Sequence, residues 1–269
     1  MEDQFYYNTY FDIFKKINTE DKPSDVKIST ITITCKINCK FEVANITEKI
    51  ELAKGNIETI KYADKKYRSY NNEPPKKIKK CKKFFYNQIT LQVYSHIDEK
   101  LINVKMFSNG SIQMSGCKTI PGIISVLNKM FNTLRKIQSI ENFNYYTDVP
   151  SILSIKNITD FEIELINCDF NIGFRINREK LYEIMLTNNI KCRYTPELGS
   201  ALITSYKHPK KEITIIIYAS GAIVITGAKD CEQINATYKH INILLLNSYH
   251  EITDIDNHEI IMQYIDEIE

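Results

Sequence analysis

At 269 residues, with 43% hydrophobic and 25% charged side chains, the chain has room for one large domain or two fused halves, each with its own core. No apolar run reaches membrane-spanning length, and the opening Met1-Glu2-Asp3-Gln4 is acidic rather than signal-like. Net charge is +2, but residues 1–25 hold six acids against three bases and residues 251–269 hold seven acids and no Lys or Arg, which leaves 26–250 at a net +12. A basic body between acidic ends suits a polyanionic ligand, or simply a solvated basic surface. The seven cysteines include no Cys-x-x-Cys pair, so they read as reduced, mostly buried thiols of an intracellular protein rather than a zinc or disulfide framework.

In chain order, Phe5, Tyr6, Tyr7, Tyr10, Phe11 and Phe14 give residues 4–17 the spacing of a helix with one broad aromatic face. That face packs onto the body or onto a partner. Residues 26–39 alternate, with Ile31, Ile33, Cys35 and Ile37 on one face and Val26, Ile28, Thr30, Thr32 and Thr34 on the other, which predicts a long strand. Asn45-Ile46-Thr47-Glu48 predicts a capped helix through about Ala53. Residues 61–83 carry ten Lys/Arg and two acids, are broken by Asn71-Asn72 and Pro74-Pro75, and read as an extended basic loop. Strands are predicted at about 84–94 and 101–108, a turn at Asn109-Gly110, and a strand at 111–117. A helix over about 120–140 follows, capped by Thr119, with Ile123, Leu127, Met130, Leu134 and Ile137 at helical spacing.

The same order then returns. A strand is predicted at 158–172, a helix from Asn177 to about Leu186, a turn at Thr195-Pro196, and strands at 200–207, 212–219 and 222–228. Asp230 and Gln233 form a capping box for a last helix whose stripe is Ile234, Tyr238, Ile241 and Leu245. Within this order lies a local repeat. Gly110, Ile112, Gly116 and Lys118 recur as Gly221, Ile223, Gly227 and Lys229, 111 positions later, and these matched sites use four of the eight glycines in the chain. A duplicated unit of strand, helix, strands and helix predicts an α+β fold with antiparallel sheet, the helices covering one sheet face. Ile112, Met114, Ile223 and Ile225 then belong to the core. Phe107, Ser111, Gln113 and Ser115, with Tyr218, Ala222, Val224 and Thr226, share a face that no helix covers. An uncovered, partly apolar sheet face usually marks a binding surface.

A duplicated unit whose last hairpin reads Phe-x-x-Gly-x-Ile-x-x-(Ser/Thr)-Gly-x-Lys resembles the TATA-box-binding protein family. Thr226-Gly227-Ala228-Lys229 matches its signature tetrad, Ser29 to Ile37 is similar to its opening strand, and Cys168-Asp169 and Tyr194-Thr195-Pro196-Glu197-Leu198 are similar to parts of its second half. The resemblance spans about 24–250. The longer first half and the richness in Ile, Asn and Lys suggest a divergent member, resembling the TATA-binding-like proteins of large DNA viruses. It divides the chain into an aromatic, acidic extension (1–23), a first repeat (24–146) with the basic insertion 61–83, a second repeat (147–250) and an acidic tail (251–269).

The resemblance implies a saddle of two pseudo-symmetric repeats with helices on the convex face. Its concave sheet lies on the minor groove of AT-rich duplex DNA, and aromatic pairs wedge into base steps, for which this family is the standard case. By that correspondence Phe85 and Phe107 form the first wedge, with Phe84 the alternative if the match shifts by one. Ser115 and Thr226 are the small hydroxyl readers, Val224 presses on the groove floor, and Gln113, Val26, Ile28, Ile163 and Leu165 occupy further DNA-facing positions. The second wedge pair corresponds to Gly199 and Tyr218, so one ring is missing and the other carries a hydroxyl. Val26 and Ile163 stand where the family has two hydrogen-bonding asparagines, and Ser111, Ala222, Leu91 and Ser205 stand where it has cations. Symmetric bending is therefore not expected.

Lys76, Lys77, Lys79, Lys80, Lys82 and Lys83 lie beside the first wedge and are dense enough to neutralise several phosphates. The corner at Glu197 and Leu198 corresponds to the one that docks a factor-B-like initiation protein, which would link the chain to RNA polymerase. His96, His208, His240, His250 and His258 have no metal spacing, and Asp254, Asp256, Asp266 and Glu267 lie in the tail rather than in a pocket. No P-loop, dinucleotide fingerprint or nucleophile elbow occurs. The expectation is a non-enzymatic transcription factor without metal, cofactor, small-molecule substrate or membrane, working in a nucleus or, for a viral protein, in the viral factory or virion. The other reading is an interaction module of a transcription complex with little DNA binding of its own.

Overall fold

The computed structural model describes residues 26–62, 66–74, 85–141, 153–198 and 201–253. The aromatic segment 4–17, the lysines at 76–83, Phe84, Gly199 and the tail past Thr253 lie outside the described residues. The described chain divides into two compact units, one built from Ser29–Ile166 and the other from 167–253 together with 26–28.

The first unit contains β1 (Lys27–Ile37), α1 (Val43–Lys49), β2 (Ile57–Tyr62), β3 (Lys66–Ser69), β4 (Gln88–Ser95), β5 (Lys100–Phe107), β6 (Ser111–Cys117) and α2 (Ile120–Glu141). Its strands hydrogen-bond in the order β3-β2-β4-β5-β6-β1, with antiparallel neighbours throughout. Alternation sets the faces: Ile31, Ile33, Cys35 and Ile37 are buried, while Thr30, Thr32 and Thr34 between them are half-buried. Helix α2 lays Ile123, Val126, Leu127, Met130, Phe131 and Leu134 over β4 and β6, burying a stripe at helical spacing. Thr119 caps it by accepting from the Gly122 amide at 3.1 Å, and its hydroxyl donates to Asp98 Oδ1 at 3.1 Å. A carboxylate is thereby held at the positive end of the helix.

The second unit contains the later part of β7 (Ile158–Asn171), α3 (Arg178–Thr187), β8 (Cys192–Arg193), β9 (Leu202–His208), β10 (Lys211–Ile217), β11 (Ala222–Ala228), α4 (Cys231–Asn247) and α5 (Tyr249–Ile252). The order is β7-β11-β10-β9-β8. Cys231, Ile234, Thr237, Ile241 and Leu245 form the buried stripe of α4, over β9 and β11. Asn177 caps α3 by accepting from the Lys180 amide at 3.1 Å, and Asp230 caps α4 by accepting from the Gln233 amide at 2.8 Å. The return arm of the expected capping box is displaced by one residue, since Gln233 Oε1 accepts from the Lys229 amide at 2.9 Å.

Three expectations are corrected. Helix α1 begins at Val43 rather than after Asn45 and ends at Lys49 rather than near Ala53, because its buried stripe is Val43, Ile46 and Thr47, continued by Ile50. Its cap residue, Glu42, makes no side-chain cap bond. The C-terminal carbonyls are closed from elsewhere: the Arg68 guanidinium donates to Thr47 O at 2.7 Å, Glu48 O at 2.8 Å and Ile50 O at 3.1 Å. Second, the start of the basic stretch is not loop but the hairpin β2–β3, whose buried Ile57 and Ile60 break strict alternation because the pairing of β2 with β4 shifts register between Ile57 and Thr59. Third, the short strand β8 was not expected at all.

The repeated hairpins share one tight contact. Gly110 N donates to Phe107 O at 3.0 Å and Gly221 N to Tyr218 O at 3.1 Å, closing the β5–β6 and β10–β11 turns. Each glycine carbonyl then accepts from the end of its unit's opening strand segment, from Ile37 N at 2.9 Å and from Ile172 N at 3.0 Å. Both glycines have left-handed φ, +87° and +82°. A β-carbon on Gly110 would sit 2.1 Å from Ile37 O, and one on Gly221 would sit 2.2 Å from Phe174 O.

Gly110→Ala and Gly221→Ala are each expected to destabilise by about 3 kcal/mol or more, since left-handed strain adds to a clash with rigid backbone. At Gly227, φ is +97° but no atom lies within 4 Å of the added carbon, so Gly227→Ala should cost only about 1–2 kcal/mol. Urea denaturation midpoints of the three variants test that order. A second prediction concerns His240, whose half-buried ring lies 4.8 Å from that of Tyr206 and whose pKa burial pushes below its ordinary 6.5. The unfolded chain protonates this histidine first as pH falls. Its contribution is therefore intact above about pH 6.5 and is lost progressively below it. His240→Phe should flatten the fall in melting temperature between pH 7 and 5, and an unchanged slope would assign that fall to other groups.

Candidate nucleic-acid interface

In the first unit the face turned away from α2 is organised in rows by strand register. Gln92, Asn103, Ser115 and Thr32 lie side by side across β4, β5, β6 and β1, and the next row holds Thr90, Lys105, Gln113 and Thr34. Gln88 pairs with Phe107 at the end of β5. These side chains are half-buried or exposed, whereas Val104, Met106, Ile112 and Met114 between them are buried. Phe107 is half-buried. Phe85, three residues before β4 at the same end of the sheet, is 60% exposed. Phe85 and Phe107 thus come to one end of the β4–β5 pair.

The matching face of the second unit is more apolar. Ile203, Ile216 and Val224 form one row across β9, β10 and β11, and Ser205, Thr214 and Thr226 form the next, all half-buried. Tyr218 is 42% exposed just past the end of β10. The Thr226 hydroxyl donates to Asn167 Oδ1 on β7 at 2.6 Å. On β9 the Ser205 hydroxyl bonds Glu212, which holds that carboxyl below its usual range, helped by Lys191 and Lys207.

Other positions stand apart from these rows. Val26, Ile28 and Ile163 are buried, at 1%, 9% and 8% exposure, while Leu165 is half-buried. Apolar side chains that replace hydrogen-bonding ones gain by leaving water, and the three buried side chains are withdrawn from any ligand in this conformation. Glu197 is exposed on the turn Pro196–Leu198. That corner is steadied from α3, where the Arg178 guanidinium lies 5.3 Å from the Tyr194 ring centre and Tyr182 lies 6.0 Å from it.

Sequence reasoning missed Lys105, Asn103, Ile203, Ile216 and Asn167. The alternation Leu101-Asn103-Lys105-Phe107 along β5 was the available signal for the first two. No cluster of three or more His, Cys, Asp or Glu able to hold a metal occurs among the described residues, and none of their helices is long and apolar enough to cross a membrane. Burial pushes the Cys35 and Cys117 thiols up to about 12, which makes them inert packing groups.

The family model described as transcription factor TFIID (or TATA-binding protein, TBP) matches residues 160–247. The chain is similar to the "TATA-box-binding protein-like" protein of Acanthamoeba polyphaga mimivirus, 28% identical over 90% of this chain and 72% of that one. It is also similar to "TATA-box-binding protein 2" of Entamoeba histolytica, 27% identical over 58% of this chain and 71% of the relative. Among solved structures, Methanococcus jannaschii TBP superposes with a TM-score of 0.52 at 17% identity, covering 83% of this chain and 99% of that one, which shows a shared fold. The duplicated strand–helix–strands–helix order, the paired hairpin glycines and these likenesses together support a divergent TATA-box-binding-protein-like chain.

Proposed function

We propose that this protein is a non-catalytic transcription-initiation factor, acting in a nucleus or viral factory. It binds AT-rich duplex DNA in the minor groove with the helix-free face of each unit. The observation that carries the reading is the repeated helix-free floor, made of hydroxyls and amides with Lys105 in the first unit and of hydroxyls and aliphatics in the second, with an accessible aromatic beside each hairpin. Such a floor matches a groove whose A·T pairs present only acceptors and no bulky group. Phe85 and Phe107 supply a wedge at one end, where unstacking is offset by the surface the bend brings into contact. The second unit offers Tyr218 alone, so kinking is one-sided or weakened. Lys76, Lys77, Lys79, Lys80, Lys82 and Lys83 contact phosphates beside the first wedge. Ser115, Gln113, Val224 and Thr226 line the floor, and Leu165 borders it. Glu197 and Leu198 dock a factor-B-like protein and, through it, the polymerase.

Gel shifts at two salt concentrations test the DNA reading. AT-rich duplex should bind at least tenfold tighter than GC-rich duplex. Raising salt from 50 to 200 mM should weaken binding about 10³-fold if roughly six phosphates are neutralised. No binding at low salt would remove the proposal and leave the interaction-module reading. Phe85→Ala and Phe107→Ala should reduce the bend reported by end-to-end fluorescence transfer while changing affinity for random duplex less than threefold. Separately, Glu197→Lys should weaken binding of a factor-B-like partner at least tenfold with DNA binding intact, and unchanged partner binding would dismiss that docking site.

A further inference from the structure

The contact between Thr226 and Asn167 sets what Thr226 can read. A hydroxyl has a single proton to give and two lone pairs to offer. Here the proton goes to Asn167 Oδ1 at 2.6 Å, a short and well-satisfied bond between two half-buried side chains on the helix-free face of the second unit. With its proton engaged, the Thr226 oxygen faces the groove as an acceptor. The minor-groove edges of A·T and T·A also present only acceptors, adenine N3 and thymine O2, whereas a G·C pair adds the guanine N2 amino donor. Thr226 donates to an A·T edge only by giving up Asn167, but it accepts from a guanine amino group with that bond intact.

The first unit provides an internal contrast. The hairpin contacts equate Ile37 with Ile172, which puts Thr32 at the position of Asn167, and Thr32 lies opposite Ser115, the counterpart of Thr226. Thr32 has no amide carbonyl to take a neighbouring hydroxyl's proton in the way Asn167 does. The two repeats therefore carry the same kind of reader with different hydrogen-bonding character.

We propose that Asn167 is a specificity-determining residue of the DNA interface: by accepting the Thr226 hydroxyl proton it turns Thr226 into an acceptor and relaxes the demand for A·T at the base pair beneath the second unit. This rests on the minor-groove reading above. Asn167 is a positioning residue here, acting through Thr226.

The test uses the full chain and an AT-rich duplex in which each base pair in turn is replaced by G·C or by inosine·C. The last two differ in the minor groove only by the guanine amino group. For the wild type, one position should show G·C bound within about threefold of inosine·C. In Asn167→Ala the freed hydroxyl turns to the groove acceptors, and G·C at that position should fall about tenfold below inosine·C, the size of one hydrogen bond. In a Thr226→Val background, Asn167→Ala should leave the ratio unchanged, which separates reading from any loss of fold. A G·C to inosine·C ratio that is the same in wild type and Asn167→Ala at every position would overturn the inference while leaving minor-groove binding standing. No binding of the wild type to any duplex would overturn both.

Discussion

The hairpin glycines set the condition on which each unit depends. In both, the turn between the last two strands must drive its backbone against the connection that leaves the first strand, close enough that a carbonyl oxygen occupies the place of the missing β-carbon. That approach lets Ile37 and Ile172 donate to the glycine carbonyls, and it lets Phe41 and Ile176 donate to Ser108 and Ala219 in the same manner. The first and last strands of each unit are thereby held in fixed register, and register decides which side chains face the helix. Had the turn stood off by one residue, Ile112 and Met114 would trade places with Gln113 and Ser115, and the core face and the helix-free face would exchange.

Because this constraint is written in backbone geometry, it leaves the helix-free faces free to change. A substitution at a half-exposed sheet position costs little stability, whereas one at a buried or left-handed position costs much. The two faces have diverged accordingly. The first carries amides, hydroxyls and Lys105 in ordered rows, and the second carries Ile203, Ile216 and Val224 with a row of hydroxyls beside them. The buried stripes of α2 and α4 have meanwhile stayed apolar at helical spacing, apart from Thr237, Thr133 and, in the first turn of α4, Gln233. Both threonines satisfy their hydroxyls on a carbonyl one turn earlier.

What could be read from sequence follows the same division. The matched glycines and the alternation around them made the hairpins, the long helices and the core faces legible, because those features have strong local causes. The strand pair β2–β3 was hidden because a register shift breaks its period and because Lys61, Lys66 and Arg68 gave it the composition of a loop. Arg68 illustrates the limit: a cation in a charge run reads as surface, yet its task is to close three carbonyls of α1. Asn167 was equally opaque. Its partner Thr226 is distant in sequence, and nothing local marks one asparagine of a strand as the one that meets it.

Unequal faces have a consequence for how such a protein would lie on DNA. The minor groove distinguishes A·T from G·C but hardly A·T from T·A, so contacts to base edges alone cannot tell one direction along an AT-rich site from the other. A pair of identical repeats would bind in either orientation with equal energy. In the proposed reading, orientation comes from mechanics and polarity instead. The end that holds Phe85 and Phe107 favours the more deformable base step, the apolar floor of the second unit favours the smoother stretch, and Thr226 with Asn167 tolerates a guanine that Ser115 opposite Thr32 does not. Reversing the protein on its site forfeits all three preferences together. In that reading, divergence of the two copies is what would let a duplicated scaffold set the direction of transcription.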